Sequence, residues 1–174
     1  IVAFTSTQLQ AMGTDDIAAL TTAQVAALSS TQVTGLTTEQ VAAIETSDIA
    51  ALNVAAVRAL SSLQIGALSS DAVAALTTAQ VASLSSTQVT GLTTEQIVAL
   101  ETTDLRVLST AALRNFNTEQ VAALTSDQTA ALTTAQIVAF TSTQLQAMGT
   151  DDIAALTTAQ VAALSSTQVT GLTT

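Results

Sequence analysis

An eight-residue period runs through this chain without an insertion, and any fold must satisfy it. From Phe4 onward each octad reads L-[ST]-[ST]-x-Q-[VI]-x-A, as in LTTAQVAA at 20–27 and LTTEQVAA at 36–43. Position 1 is apolar in all 22 occurrences, and position 6 is apolar everywhere but Thr129. Position 5 is Gln in 14 of 21 octads and otherwise Asp or Ala. Position 8 is usually Ala, sometimes Gly (Gly35, Gly91, Gly171), and largest at Val107 and Asn115.

Eight residues suit neither a continuous helix nor a flat strand. In one long α-helix the Leu positions would advance by about 80° per octad and spiral around the rod. Repeats of seven or eleven avoid that drift, and eight does not. In a strand, positions 1 and 6 have opposite parity, so Leu and Val would fall on opposite faces.

A helix that restarts in every octad removes the conflict. Position 2 is Ser or Thr in 16 of 22 octads, with Asn53, Asn117, Gly13 and Gly149 in four more. These are N-cap residues. Gln three residues later completes a capping box, as in Ser29–Gln32 and Thr37–Gln40. Positions 1 and 6 are then the two partners of a hydrophobic staple, for example Leu36 and Val41. Small residues at position 8 suit a helix end and a close neighbour. Glu45 and Glu101 break the cap rule, and Thr46 and Thr102 are the expected substitutes.

Each helix spans about six residues, too short to stand alone where about 12–15 are marginal. Stability must therefore come from stacking Leu, Val and Ala of one octad on another. The expected fold is all-α, a superhelical repeat solenoid of very short helices, one per octad. The alternative is a β-solenoid, with Thr and Val in strands and Ala and Gly at corners.

Residues 1–174 form one continuous array. Residues 1–38 are identical to 137–174, an offset of 17 octads, and 20–59 resembles 76–115 at an offset of seven. Whole octads have been duplicated, and the repeated ends read as a slice of a longer array.

Composition narrows the function. Aromatic residues make up only 2% of the chain, so the core must be aliphatic. The formal charge is −10, with Arg58, Arg106 and Arg114 the only cations. Nucleic-acid binding needs clustered cations, so no nucleic-acid partner is expected. Polar residues interrupt every octad, so no membrane insertion is expected. His and Cys are absent, which removes disulfides, the usual nucleophilic triads and the usual zinc sites.

No catalytic, cofactor or metal residue stands out, and an enzyme or small-molecule substrate is not expected. Asp15–Asp16 and its copy Asp151–Asp152 fit helix N-termini, where acids are favourable. No dedicated calcium motif is present, which leaves only weak surface calcium. The three Arg residues read as surface ion-pair partners or contacts between chains. Phe4, Phe116 and Phe140 occupy the Leu position and read as core. Thr129 reads as a local defect. A Ser/Thr ladder for ice or glycan is set aside because capping already accounts for those hydroxyls.

The octads LTTAQVAAL, LTTEQVAAI and LTTEQIVAL resemble those of very long repetitive bacterial surface or secreted proteins of the adhesin or matrix kind. The resemblance covers the whole chain. It implies a structural role outside the cell or at its surface, and it transfers no functional residue. The same string looks superficially like the helix openings of TAL-effector repeats, but those have a longer period and need basic surfaces. The resulting expectation is a fibre, sheath or stalk that self-associates by solenoid stacking. The alternative is a passive spacer in a giant adhesin.

Overall fold

The computed structural model describes Ile1 and residues 3–172. The described residues contain 21 α-helices and no strand, one helix per octad, from α1 (Ser6–Gln10) to α21 (Ser166–Leu172). The helical solenoid is therefore the observed fold, and the β-solenoid alternative is overturned. The helix restarts because an N-cap side chain binds the N–H three residues on in most octads, closing a full capping box wherever Gln stands at position 5.

Octad 92–99 shows the local logic. Thr93 sits extended at φ −77°, ψ 165° ahead of α12 (Thr94–Ala99). Its hydroxyl accepts from the Gln96 N–H at 3.2 Å, and Gln96 Oε1 accepts from the Thr93 N–H at 2.8 Å. The helix ends at Leu100, again extended at φ −62°, ψ 129°. Two extended residues thus join one helical turn to the next.

Glu45 and Glu101 are themselves the N-caps of α6 (Thr46–Ile49) and α13 (Thr102–Leu105), and neither makes a side-chain cap bond. Thr46 and Thr102 are first helical residues, not substitute caps. The octad register overrides the local cap preference because slipping it by one residue would unseat the apolar pair.

No described residue has a positive φ. The position-8 glycines are therefore not left-handed helix caps. Gly91 is needed for space, since a Cβ there would collide with the Ser62 carbonyl oxygen of the neighbouring coil.

Positions 1 and 6 form one continuous core, buried from Leu9 to Leu156 apart from the half-buried Met12 and Ile153. Phe116 and Phe140 lie in it, as expected. Phe4 does not: it is 44% exposed.

Successive coils are tied by the position-5 glutamines. Gln96 Nε2 donates to the carbonyls of Ile65 at 3.0 Å and Leu68 at 2.6 Å. Gln64 does the same to Val33 and Leu36, Gln80 to Ile49 and Leu52, and Gln128 to Ile97 and Leu100. One side chain therefore caps its own helix through Oε1 and holds the previous coil through Nε2. The partners lie 31 and 28 residues back. Other bonds across coils span 25 or 26 residues. A coil thus takes more than three octads (24 residues) and fewer than four (32). Accordingly each helix packs on the third one after it: α1 on α4 (Ser30–Gly35), α4 on α7 (Val54–Ala59), and so on to α18 (Ser142–Ala147) on α21.

Gln96→Glu preserves the cap acceptor but sets a buried carboxylate against two carbonyl oxygens. It is expected to destabilise by about 3 kcal/mol, as a buried unpaired charge does. Gln96→Ala leaves the Leu68 carbonyl and the Thr93 N–H without their partner but buries no charge, and should cost less, about 1–3 kcal/mol. Urea unfolding of both variants checks the order; equal losses would contradict the two-sided role of the amide.

Candidate functional site

The polar chemistry of the chain falls in three places: the position-5 row between coils, the outer face, and the two ends of the stack.

Asp48, Asp104 and Asp152 stand in the row where Gln is usual, and all three are buried. A carboxylate is one carbon shorter and has no proton to donate. The hydrogen bond consequently reverses direction. Thr22 Oγ1 donates to Asp48 Oδ1 at 2.6 Å, and Ser126 Oγ donates to Asp152 Oδ1 at 2.8 Å, each from 26 residues earlier. Asp104 holds the same place above Thr78, but its Oδ1 is buried without a hydrogen bond. Where Ala56 occupies the row, Asn53 compensates, its Nδ2 donating to the Leu28 carbonyl at 2.7 Å.

The second acid of each pair binds the N-cap of its own helix. Asp16 Oδ2 accepts from the Gly13 N–H at 3.0 Å, and Asp152 Oδ2 from the Gly149 N–H at 3.2 Å. Each is half a capping box, since glycine offers no side chain in return. Asp15 and Asp151 are exposed in the first turn of their helices. The pairs sit on α2 (Thr14–Ala18) and α19 (Thr150–Ala154), which pack on different coils, so no four-carboxylate group forms.

Among the described residues no set of three or more His, Cys, Asp or Glu side chains converges on a point. No helix is long and apolar enough to cross a membrane. Thr129 is fully buried with an unbonded hydroxyl, the local defect expected. The stack tolerates it because Gln160 still reaches the Thr129 carbonyl at 3.0 Å.

Arg58, Arg106 and Arg114 are exposed, and none forms an ion pair among the described residues. This corrects the ion-pair expectation. All three occupy position 7, on the outer face, and Asp104, the acid nearest Arg106 in sequence, is turned into the stack. The hydroxyls of position 2 are occupied as caps, for example Thr77 to the Gln80 N–H at 3.3 Å and Ser85 to the Gln88 N–H at 3.2 Å. Sequence reasoning missed the second bond of the position-5 amides. A hollow open to solvent lies at the last coil, between Leu145, Met148, Ile153 and Leu172.

The ALTTAQ repeat pattern matches residues 1–30, 9–43, 41–78, 73–102, 97–134, 130–158 and 137–174, which together span the chain. The chain belongs to the ALTTAQ repeat family. No curated protein matches the chain.

Two exposed acids of this ALTTAQ repeat array are perturbed. The carboxyls of Glu39 and Glu95 lie below the usual glutamate range. Their own backbone N–H groups at the helix N-terminus are the main cause, followed by the Thr37 and Thr38 hydroxyls for Glu39 and those of Thr93 and Thr94 for Glu95. A depressed folded value means these acids favour the fold above the unfolded glutamate range and lose that contribution as pH falls through the folded value. NMR titration should find both ionising at lower pH than free glutamate, with stability declining across that interval. Midpoints at or above the free value would contradict the assignment.

Proposed function

We propose that this array is a structural protein: a segment of an extracellular or cell-surface fibre, sheath or stalk, built by stacking of solenoid coils. The observation that carries the reading is the uninterrupted register. From Gln32 onward every position-5 glutamine bridges to the coil before it, so the stack has no internal break in which a domain or a substrate site is inserted. A solenoid's stability is a sum over neighbouring repeats, which lets length grow without redesign of a core. The duplications of whole octads are the sequence form of that growth.

Further support comes from what the side chains offer. The core is aliphatic and shared by all coils, and the outer face is acidic and hydroxyl-rich. Such a surface suits hydration and weak calcium bridging better than recognition of a polyanion. In this reading the chain acts without a cofactor, catalyses no reaction, and its partner is another copy of itself.

Cryo-electron microscopy of the purified protein, with and without calcium, tests the proposal. Ordered filaments with a repeat along the axis equal to the spacing of coils are expected. Separate thin rods carrying globular tips would overturn the fibre reading and make the array a passive spacer in a larger adhesin.

A further inference from the structure

The packing decides which octads share a side of the solenoid. α12 packs on α9 (Ser70–Ala74), three octads back, and its Gln96 amide reaches Ile65 on α8 (Ser62–Ala67), four octads back. Each helix therefore sits over the gap between two helices of the coil before it. A coil takes about three and a half octads, which matches the 28-residue reach from Gln96 to Leu68. Residues 56 apart, twice that reach, fall on one line parallel to the axis.

The exposed charges follow such lines. Seven of the 13 acids stand at position 4, and all seven are exposed. Asp15, Asp71 and Asp127 form one line at steps of 56, and Glu39, Glu95 and Asp151 form a second. The two lines are neighbours, since α2 packs on α5 (Thr38–Ala42), α9 on α12, and α16 (Ser126–Ala131) on α19. Glu119, the seventh, flanks them on α15 (Thr118–Ala122), which packs on α12. Arg58 and Arg114 form a third line, again 56 apart. Arg58 lies two octads after Glu39 and two before Asp71; Arg114 lies two after Glu95 and two before Asp127. Two octads are just over half a coil, so both arginines face away from both acid lines. The helices beside them carry no charge: α4 and α10 (Thr78–Ala82) flank α7, while α11 (Ser86–Val89) and α17 (Thr134–Ile137) flank α14 (Thr110–Leu113). Arg106 is at the border, its helix packing on α10 of one side and α16 of the other. The solenoid thus has an acidic side and a side that is neutral but for two arginines without an ion-pair partner.

We infer that copies of this array associate side by side, the arginine side of one against the acidic side of the next. Both patterns repeat every two coils, so Arg58 and Arg114 of one copy meet two successive acids of one line in the other, whether the axes run parallel or antiparallel. Ala55 and Ala111, at position 4 of the arginine octads, are small enough to let the surfaces approach. The inference rests on the self-associating fibre reading and adds a lateral contact to it. Because the two sides differ, the contact is heterologous, and where it does not close on itself it propagates, here as a sheet of parallel solenoids. A single exposed ion pair is weak, so strength comes from many pairs held in register along the array. At about 0.15 M salt, charges more than about 8 Å apart are screened. The general repulsion between two chains of charge −10 is then damped, while pairs in contact persist.

Cysteine cross-linking tests this, because the chain has no Cys of its own to interfere. Ala111→Cys marks the arginine side, three residues before Arg114, and Ala42→Cys marks the acidic side, three residues after Glu39; both positions are exposed. The two variants, one of them isotope-labelled, are mixed at about 0.15 M salt and treated with a short bis-maleimide. Mass spectrometry then separates mixed dimers from like dimers. Mixed dimers should exceed either like dimer by about fivefold or more, against twofold for random pairing. Adding R58Q/R114Q to the A111C chain changes two exposed side chains. That variant should melt like the wild type by circular dichroism and return the mixture to random pairing, as should about 1 M salt. R106Q should leave the preference intact. Random pairing in the parent mixture, or a preference that survives R58Q/R114Q, would overturn the lateral contact. If microscopy still shows filaments, the fibre reading stands without it; random pairing and no filaments would overturn both.

Discussion

The fold depends on one side chain with two ends. A capping box asks only that position 5 accept a hydrogen bond from the N-cap N–H, and a glutamate would serve. Gln accepts through Oε1 and still has an amide left to donate. That amide sits between a position-1 carbonyl of the previous coil that has no backbone partner and a position-6 carbonyl that already accepts one backbone N–H, as Leu68 and Ile65 do for Gln96. Among the described residues there is no sheet ladder, the helices are one to two turns long, and no backbone–backbone hydrogen bond runs between coils. The glutamines supply the polar link between neighbouring coils, and the aliphatic row supplies the burial.

The helices themselves are too short to be stable in isolation. Their caps, their staple and their intercoil amide all require the same eight-residue register. This mutual dependence explains why no insertion is found over the whole length and why Glu45 and Glu101 stay at the N-cap despite making no cap bond. It also explains the local exceptions. Asp48 and Asp152 keep the link by accepting a hydroxyl from below, and Asn53 keeps it when Ala56 cannot. At Asp104, Ala72 and Ala112 no such pair is restored, and there the stack relies on apolar burial between coils.

The restart of a helix in each octad was legible because capping is local: Ser or Thr, then Gln three residues on, then Val. The burial of Leu and Val followed from the staple. The coil size was not legible in the octad, since it is set by how far apart aliphatic side chains hold the backbones. A trace of it exists, however. The internal duplication of 20–59 as 76–115 has an offset of seven octads, or 56 residues, twice the 28-residue reach of the glutamine amide. The intercoil bond also left a signal. Position 5 is never Glu, although the chain carries 13 acids and Glu fits a capping box as well as Gln. The isolated state of the three arginines was not legible, because it depends on which way Asp104 turns. For the candidate site, the sequence showed missing chemistry rather than a site.

Side-chain amide hydrogen exchange, followed by NMR, tests the central claim most directly. If the glutamine amides hold the coils together, the Nε2 protons of Gln64, Gln80, Gln96 and Gln128 will exchange far more slowly than those of Gln8 and Gln24, measured below the concentration at which copies associate. Uniformly fast exchange at all six would mean that the coils are held by apolar burial alone, and would contradict the account.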